Sequence, residues 1–383
     1  MVEIARNLQD DTRILVLDEP TAMLTPRETT YLFEQIARLS SRGVAIVYVS
    51  HRLEELRRIA TQVAVLRDGR LVDVCAMAGL SEDDLVRRMV GRSVNDLESR
   101  ARRVAGPVVM QVDGIGRGTA VQDVSLALHA GEVFGIAGLV GSGRTELIRL
   151  LFGADRADRG RITLRADNIK PKVPPALDTQ AQAAIKKEAT THPRGFVSPL
   201  QAIRAGVGLV TEDRKSQGLL LTQPIRINAT LSDLGAISRG GWLQRGLENR
   251  LVQGFIQTLR IRCRGGEQPV GQLSGGNQQK VVFARWLHRP CKVLLLDEPT
   301  RGVDVGARAE IYGELDRMAE QGRALLMVSS DLRELMAMAD RIGVMSGGRM
   351  VAVFERGEWT QQSLLAAAFS EQGHAPAEQP ATA

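Results

Sequence analysis

The chain has 383 residues, enough for two domains, and its 44% hydrophobic and 25% charged residues are typical of a soluble globular protein. Its net charge of +6 fits a polyphosphate, an acidic membrane surface or nucleic acid as partner, and it fits a basic solvated surface equally well. Dispersed arginines and only 4% aromatic residues argue against nucleic acid, and no apolar run approaches the roughly 18 to 20 residues that span a bilayer. The isolated cysteines, Cys75, Cys263 and Cys291, indicate reduced thiols and argue against a zinc site.

The first predicted strand, residues 13–17, runs directly into the acidic pair Asp18 and Glu19 of the sequence LDEPT. A second predicted strand lies in VAIVYVS and is followed by His51. A single acidic pair at a strand end is often only a solvated strand end, and a histidine there can simply face solvent. These two segments therefore need independent support.

That support comes from an internal repeat. At an offset of 279 positions, from Asp18 to Asp297, the DEPT of residues 18–21 falls on the DEPT of residues 297–300, and the register holds without a gap from residue 1 to about residue 92. The offset predicts a duplicated domain. We expect residues 1–92 to be the C-terminal part of a first copy, 93–106 a charged linker, 107–371 a complete second copy and 372–383 a disordered tail, with a surface insertion near residues 171–194.

The second copy contains the sequence FGIAGLVGSGRTELIRLLFG, an apolar strand, a glycine loop and a helical pattern. This is the context in which GxxxxGK[ST] holds phosphates on backbone N–H groups, although Arg144 stands where lysine is expected. The alternative is a tight turn without a ligand. The predicted phosphate-binding residues are Gly138, Gly141, Ser142, Gly143, Arg144 and Thr145.

Two further motifs accompany the loop. The strand in KVLLLDEPT delivers Asp297 towards a magnesium ion and places Glu298 to polarise the attacking water, and residues 18 and 19 repeat this arrangement. Upstream, LSGGNQQK opens a predicted helix whose N-terminus is an anion site lined with glycine. Its predicted nucleotide-binding residues are Ser274, Gly275, Gly276 and Asn277.

Together, LSGGNQQK, LLLDEPTRGVDVGA, GLVGSGRTEL and VTEDRK resemble the tandem ATP-binding subunits of bacterial ABC importers for ribose, xylose, galactose and related sugars. The resemblance implies an α/β P-loop NTPase of the ABC type, with a mixed sheet core and a helical subdomain. It implies ATP and Mg as cofactors, with two ATP molecules held head to tail between the phosphate loop of one half and the LSGG segment of the other. It also implies permease subunits and a periplasmic sugar-binding protein as partners, no nucleic acid, and a peripheral position on the cytoplasmic face of the plasma membrane.

The resemblance also assigns roles within each ATP site. In one site, Asp18 would lie near magnesium, Glu19 would be catalytic, and His51 would be the switch histidine. In the other, Thr145 and Asp297 would bind magnesium and Glu298 would be catalytic, but Ser330 occupies the switch position. With Arg144 in the same site, we expect that site to be the weaker one.

Other features depart from the family pattern. Glu212 and Asp213 stand where the family has a glutamine loop that senses the γ-phosphate, at the entrance to the predicted helical subdomain. The segment before the phosphate loop, VDGIGRGTAVQDV, offers no aromatic residue to stack on adenine.

By the 279-residue register Met1 lies over Lys280, so we expect Met1 to be an internal methionine of a longer gene product or the restart of a disrupted one. Two alternatives to a sugar-importer ATPase remain. The chain is then either a truncated remnant that binds nucleotide through its second copy without hydrolysis, or a non-transport tandem ABC protein of translation or DNA repair.

Overall fold

The computed structural model describes residues 12–18, 20–21, 24, 26–50, 53–67, 70–81, 84–85, 88, 103–165, 189–289, 291–303 and 305–370. Two compact units are present, residues 1–97 with 304–306, and residues 98–303 with 307–383. Arg103, from the end of the predicted linker, already belongs to the second unit and forms ion pairs with Asp316 and, at 2.8 Å, with Asp340. None of the helices in the described ranges has both the length and the apolar composition needed to cross a bilayer.

The N-terminal unit combines parallel strand pairing, two helices and a hairpin. Leu15 and Leu17 point to one face of the first strand and pack with Leu32, Phe33 and Ile36 of the first helix, because alternate residues of a strand share a face. The elements are β1 (Ile14–Asp18), α1 (Pro26–Ser41), β2 (Ala45–Val49), α2 (Leu53–Ile59), β3 (Gln62–Arg67) and β4 (Arg70–Ala76), with β1 parallel to β2 and β3 antiparallel to β4.

The C-terminal unit is built on a central sheet whose described strands have the order β10-β13-β14-β7-β15-β16, parallel except for the antiparallel last pair. Every residue of β13 and β14 is buried, as expected for parallel strands covered on both faces. The elements of this sheet are β7 (Val133–Gly138), β10 (Val207–Val210), β13 (Val293–Asp297), β14 (Ala324–Val328), β15 (Arg341–Ser346) and β16 (Arg349–Glu355).

An antiparallel sheet of the same unit pairs β6-β5-β8-β9 within the described residues. Its strands are β5 (Val108–Arg117), β6 (Val121–His129), β8 (Arg159–Leu164) and β9 (Thr190–Pro193). The predicted surface insertion is wrong at its C-terminal end, because Thr190–Pro193 pairs in register with Arg161–Leu164. Alternating exposure along TTHP hides this strand from a search for apolar runs.

Helices flank the sheet and fill the segment between β10 and β13, as the sequence predicts for a helical subdomain. A small hairpin, β11 (Ser238–Arg239) with β12 (Trp242–Leu243), lies in the same segment. The helices of this unit are α3 (Arg144–Phe152), α4 (Pro199–Ala205), α5 (Ile225–Thr230), α6 (Arg245–Thr258), α7 (Gly275–His288), α8 (Val305–Glu320), α9 (Leu332–Met338) and α10 (Gln361–Phe369).

The internal repeat is visible element by element. Each element of the N-terminal unit, from β1 to β4, has a counterpart with the same bounds at the 279-residue offset, from β13 to β16. The pairing register of β1 with β2 matches that of β13 with β14, and both hairpins carry an irregularity at the same place, between Val65 and Leu66 and between Val344 and Met345. These correspondences support the predicted duplication, while the proposed domain borders remain predictions.

Candidate nucleotide site

The phosphate loop connects β7 to α3. Its helix begins at Arg144, and Gly143 before it is in the left-handed region with φ of 96°. A Cβ at Gly143 would lie 2.2 Å from the carbonyl oxygen of Ala120, and one at Gly138 would lie 2.5 Å from that of Met345. Glycine is therefore required at both positions, and Gly141, with φ of 83°, also adopts a glycine conformation. The structure thus brings the predicted glycines together at a helix N-terminus, where anions are stabilised.

Two hydroxyl groups complete this loop. The Ser142 hydroxyl is buried and has no hydrogen-bond partner among the described residues. Thr145, one helical position after Arg144, donates a hydrogen bond of 3.4 Å to a carboxylate oxygen of Asp297. A buried hydroxyl without a partner is costly unless a ligand satisfies it, so the loop has the chemistry of an incomplete oxyanion site.

Arg144 does not point away from the loop as a free cation. It is buried, and its Nη1 donates a hydrogen bond of 2.7 Å to the carbonyl oxygen of Ser329, at the end of β14. Burial lowers the pKa of Arg144, against the attraction of the nearby carboxylates of Glu298 and Asp297. The guanidinium therefore ties the phosphate loop to the switch segment, a contact that the sequence did not predict.

The acidic pair lies at the end of β13. Burial raises the pKa of Asp297, while the Thr145 hydrogen bond and the charge of Arg144 oppose the shift. Burial likewise raises the pKa of Glu298, whose carboxylate accepts a hydrogen bond of 3.2 Å from the hydroxyl of Ser330. The backbone of Glu298 has φ of 47°, and its N–H donates to the carbonyl oxygen of Val328 at 3.0 Å. Ser330, at the predicted switch position, is thus hydrogen-bonded directly to Glu298, the predicted catalytic carboxylate.

A buried carboxyl that the sequence analysis missed lies behind the acidic pair. Glu334 of α9 accepts hydrogen bonds from the hydroxyls of Thr300 and Ser329, each at 2.5 Å, and the hydroxyl of Tyr312 is a further polar neighbour of the carboxyl. Burial raises the pKa of this carboxyl. Because Thr300 follows the acidic pair and Ser329 precedes the switch position, Glu334 holds these two segments together.

The same arrangement occurs in the N-terminal unit. Glu55 of α2, at the equivalent position, is buried and accepts hydrogen bonds from Thr21 at 2.7 Å, from Tyr48 at 2.8 Å and from Ser50 at 3.2 Å. Asp18 ends β1 as Asp297 ends β13. Glu19 and His51, the other predicted members of this half, lie outside the described residues. A signal for the buried carboxyls was present, because both glutamates are also matched by the repeat.

The LSGG segment begins α7 as predicted. Ser274 is the N-cap residue, and the helix runs from Gly275. Asn277 is engaged locally, since it donates a hydrogen bond of 2.8 Å to the Ser274 hydroxyl and accepts one of 2.9 Å from the backbone of Arg262. The segment therefore presents a shaped helix N-terminus rather than a mobile glycine run, and Gly276 is buried within the first turn.

The comparisons with known proteins agree with this geometry. A model of the family described as ABC transporter matches residues 121–301. A ribose import ATP-binding protein of Chromobacterium violaceum is 45% identical over 368 residues, which cover 96% of this chain and 68% of that protein. One of Rubrobacter xylanophilus is 45% identical over 373 residues, 97% of this chain and 67% of that protein.

The chain belongs to the ABC transporter family of ATP-binding proteins. Its fold is similar to that of an ATP-binding cassette of an ABC transporter with a TM-score of 0.52 and 18% identity, covering 68% of this chain and 98% of that one. A nucleotide-free ATP-binding cassette gives a TM-score of 0.50 and 19% identity, over 65% of this chain and 92% of that one. Membership of the ABC transporter family confirms the predicted fold and the predicted class of enzyme, an ATPase that binds ATP.

Proposed function

We propose that this chain is the ATP-binding subunit that energises uptake of a monosaccharide through an ABC membrane transporter. The observation that carries the proposal is the meeting of Thr145 with Asp297 at the phosphate loop, in a chain whose relatives are named ribose import ATP-binding proteins. The wider sugar class, ribose, xylose or galactose, follows from the sequence resemblance. The energy for uptake would come from ATP hydrolysis.

The residues around the loop fit a Mg–ATP complex. Mg²⁺ prefers hard oxygen ligands, and the hydroxyl of Thr145 and the carboxylate of Asp297 are oxygen groups already 3.4 Å apart. Bound there, the metal would neutralise charge on the phosphate oxygens. The backbone N–H groups of the loop and the unpartnered Ser142 hydroxyl would bind the phosphates themselves. Asp18 would hold magnesium in the first half, by the repeat.

The two halves would contribute unequally to hydrolysis. In the C-terminal phosphate site, Arg144 is already engaged by the Ser329 carbonyl, and Ser330 rather than histidine contacts Glu298. Serine cannot take up a proton near neutral pH as histidine can, so Glu298 would work there without a titratable neighbour at the switch position. We therefore assign efficient hydrolysis to a site built with Glu19 and His51, facing Ser274, Gly275, Gly276 and Asn277 across the nucleotide.

The proposal includes partners and a place in the cell. Permease subunits would receive the mechanical output, and a periplasmic sugar-binding protein would deliver the sugar to them. The chain would act at the cytoplasmic face of the inner membrane as a peripheral protein, without binding nucleic acid. The isolated 383 residues contain one GSGRT loop and one LSGG segment, so we expect little steady-state ATP turnover from the chain alone.

Binding of Mg–ATP and sugar uptake test the proposal together. We expect Thr145→Ala and Asp297→Asn each to weaken Mg-dependent ATP binding about tenfold, because the first removes a hydroxyl and the second a negative charge beside the metal. Calorimetric titration of the chain with ATP, with and without Mg²⁺, measures this effect. In the source cells, Glu19→Gln at the gene should lower uptake of labelled ribose, xylose or galactose, because Glu19 belongs to the site to which hydrolysis is assigned.

Thr145→Ser is the matched control, since it keeps the hydroxyl and should bind Mg–ATP like the parent. Binding that ignores Mg²⁺ and both substitutions would contradict the assigned metal site. Normal binding in the parent combined with unchanged uptake of all three sugars in the Glu19→Gln strain would favour the non-hydrolysing remnant. Co-purification with ribosomes or DNA at moderate salt would favour the non-transport alternative.

A further inference from the structure

The VTEDRK segment after β10 has no role in the phosphate site described above. It forms a single π-helical turn, Arg214–Gly218, that packs against α7. Asp213 fixes the start of this turn by accepting hydrogen bonds from the backbone N–H groups of Lys215 at 3.0 Å and Ser216 at 3.1 Å. Arg214 is the first residue after the Asp213 cap, so the cap fixes the backbone position of Arg214.

One side of the Arg214 guanidinium holds the turn that follows the acidic pair. Its Nη1 donates to the carbonyl oxygen of Arg301 at 2.8 Å, and its Nη2 donates to that of Gly302 at 3.1 Å. Glu212 adds an ion pair with the Arg301 side chain. A planar fork that donates to two successive carbonyls fixes the orientation of the turn as well as its distance.

The other side of the guanidinium lies against the first residue of α7. A Cβ built on Gly275 would be 2.7 Å from Nη2 of Arg214 and 3.0 Å from the carbonyl oxygen of Gly302. A side chain at position 275 would therefore displace the guanidinium or push the helix away from the turn. Burial lowers the pKa of Arg214, which is half-buried, and within the described residues its buried Nε has no hydrogen-bond partner.

The turn held by Arg214 is also joined to the phosphate site. It begins directly after Asp297, which accepts the hydrogen bond from Thr145 in the phosphate-loop helix. Within the turn, Thr300 donates to Glu334, and Glu334 in turn accepts a hydrogen bond from Ser329, whose carbonyl oxygen binds Arg144. The phosphate loop is thus connected to the turn by two routes, one through Asp297 and one through Glu334.

We propose that Arg214 is a positioning residue that couples occupation of the phosphate loop to the N-terminus of α7, the segment LSGG. The inference rests on the proposed binding of ATP at this loop, and it adds a route from that nucleotide to the surface that would face a second one. Arg214 acts by keeping the turn and Gly275 in one arrangement, so that the two elements move together.

Hydrogen–deuterium exchange of the full chain, with and without Mg–ATP, tests this coupling. In the parent, Mg–ATP should slow exchange of amides in residues 139–146 and also, by about fivefold or more, in residues 275–280. Arg214→Gln should still show slowing at residues 139–146 but no response at residues 275–280. Arg214→Lys should respond weakly, because a single ammonium cannot donate to both carbonyls in the fork geometry.

Lys215→Gln is the matched control, since it removes one positive charge from the adjacent position, and it should respond like the parent. A response at residues 275–280 that survives Arg214→Gln and Arg214→Lys overturns the coupling while leaving ATP binding intact. Absence of slowing at residues 139–146 in the parent overturns the nucleotide site itself, and the coupling with it. If Arg214→Gln does not fold, the weakened response of Arg214→Lys decides the matter.

Discussion

The acidic pair at the end of β13 is shielded from water, Asp297 almost completely and Glu298 in part. Burial raises the pKa values of both Asp297 and Glu298, and the hydrogen bonds from Thr145 and Ser330 only partly oppose it. In the folded chain each carboxyl therefore holds its proton at a pH where the unfolded chain has released it. Ionisation of the pair in the folded state therefore lowers the free energy of unfolding, and bound Mg²⁺ would restore it.

We expect the double variant Asp297→Asn/Glu298→Gln to be more stable than the nucleotide-free parent near neutral pH. Below the ordinary values of 3.8 and 4.5 the carboxyls are neutral in both states, so parent and variant should there respond to pH alike. As pH rises through the raised folded values, the parent loses stability that the uncharged variant keeps. Urea unfolding midpoints measured between about pH 4 and pH 8 report the difference.

Glu320→Gln serves as the control for this experiment, because Glu320 is an exposed carboxylate at the end of α8. A difference that changes with pH as strongly in Glu320→Gln as in the double variant would show that loss of a carboxylate, and not its burial, is the cause. A gap between the double variant and the parent that narrows as pH rises would contradict the assignment of burial as the cause.

The predictable part of the site was the part encoded locally. Strand, glycine loop and helix are contiguous in sequence, so their chemistry could be recognised without the fold. The contacts of Arg144 with Ser329 and of Thr300 with Glu334 join residues 185 and 34 positions apart, and nothing local announces them. Backbone carbonyls are acceptors in every residue type, so the partner of Arg144 leaves no trace in the sequence.

At the level of elements, the two buried carboxyls, Glu55 and Glu334, each have a tyrosine hydroxyl beside them, but the tyrosine comes from a different element in each unit. In the N-terminal unit, the tyrosine hydroxyl comes from Tyr48 on β2, and the equivalent of Tyr312 is Phe33. The two N-terminal rings pack edge to face with centroids 6.4 Å apart. In the C-terminal unit, the tyrosine hydroxyl beside Glu334 belongs to Tyr312 on α8. Either neighbouring element can therefore supply the donor.

This exchange predicts a rescue. Tyr48→Phe should destabilise the N-terminal unit by about 1.5 kcal/mol, because it removes a hydrogen bond to the buried Glu55 carboxyl. Adding Phe33→Tyr should restore most of that loss by supplying a hydroxyl from α1, as Tyr312 does from α8. Urea unfolding of the parent, both single variants and the double variant gives the coupling free energy.

Phe33→Tyr alone is the internal control, and it should not stabilise the parent, since Tyr48 already donates to Glu55. Purely additive effects of the two substitutions would show that the two positions do not share one acceptor. The two units would then share their fold, but positions 33 and 48 could not replace each other as hydroxyl donors to Glu55.

Secondary structure followed from the sequence where apolar pattern and turn residues agree. The β1 and β2 strands, the phosphate-loop helix and α7 lie within one or two residues of their predicted positions. β9 did not, because half of its residues face solvent and residues 165–189 separate it in sequence from its partner β8. Its formation depends on a neighbouring strand already in place, which is tertiary information.

Across the whole molecule, the two units differ in the exposure of one sheet face. The face is exposed in the N-terminal unit, and the equivalent face of the C-terminal unit is buried. Ile14, Val16, Val47 and Val49 of the β1–β2 sheet are 47 to 65% exposed. The residues at the repeat positions, Val293, Leu295, Leu326 and Val328, are at most 1% exposed. The C-terminal unit covers this face in part with α3, which contacts β13. An exposed apolar sheet face of this kind favours association.

We expect the purified chain to bind an apolar dye and to self-associate through this face. Val16→Lys should reduce both effects, because a charge at the centre of the face opposes its burial. Static light scattering over a concentration series, with dye fluorescence in parallel, measures the change. Val353→Lys is the control, since Val353 is similarly exposed at 48% but belongs to the C-terminal unit. Equal effects of the two substitutions would show that self-association does not depend on the β1–β2 face.

The irregularity shared by the two hairpins has a consequence for the history of the chain. A bulge cannot shift by one residue without turning every later side chain of its strand to the opposite face. Substitutions can therefore accumulate around it while its place stays fixed, and here Leu66 in one hairpin corresponds to Met345 in the other. If the two halves arose by the predicted duplication, we expect the ancestral half to have carried this bulge already, so that the backbone irregularity has outlasted the residues that first formed it.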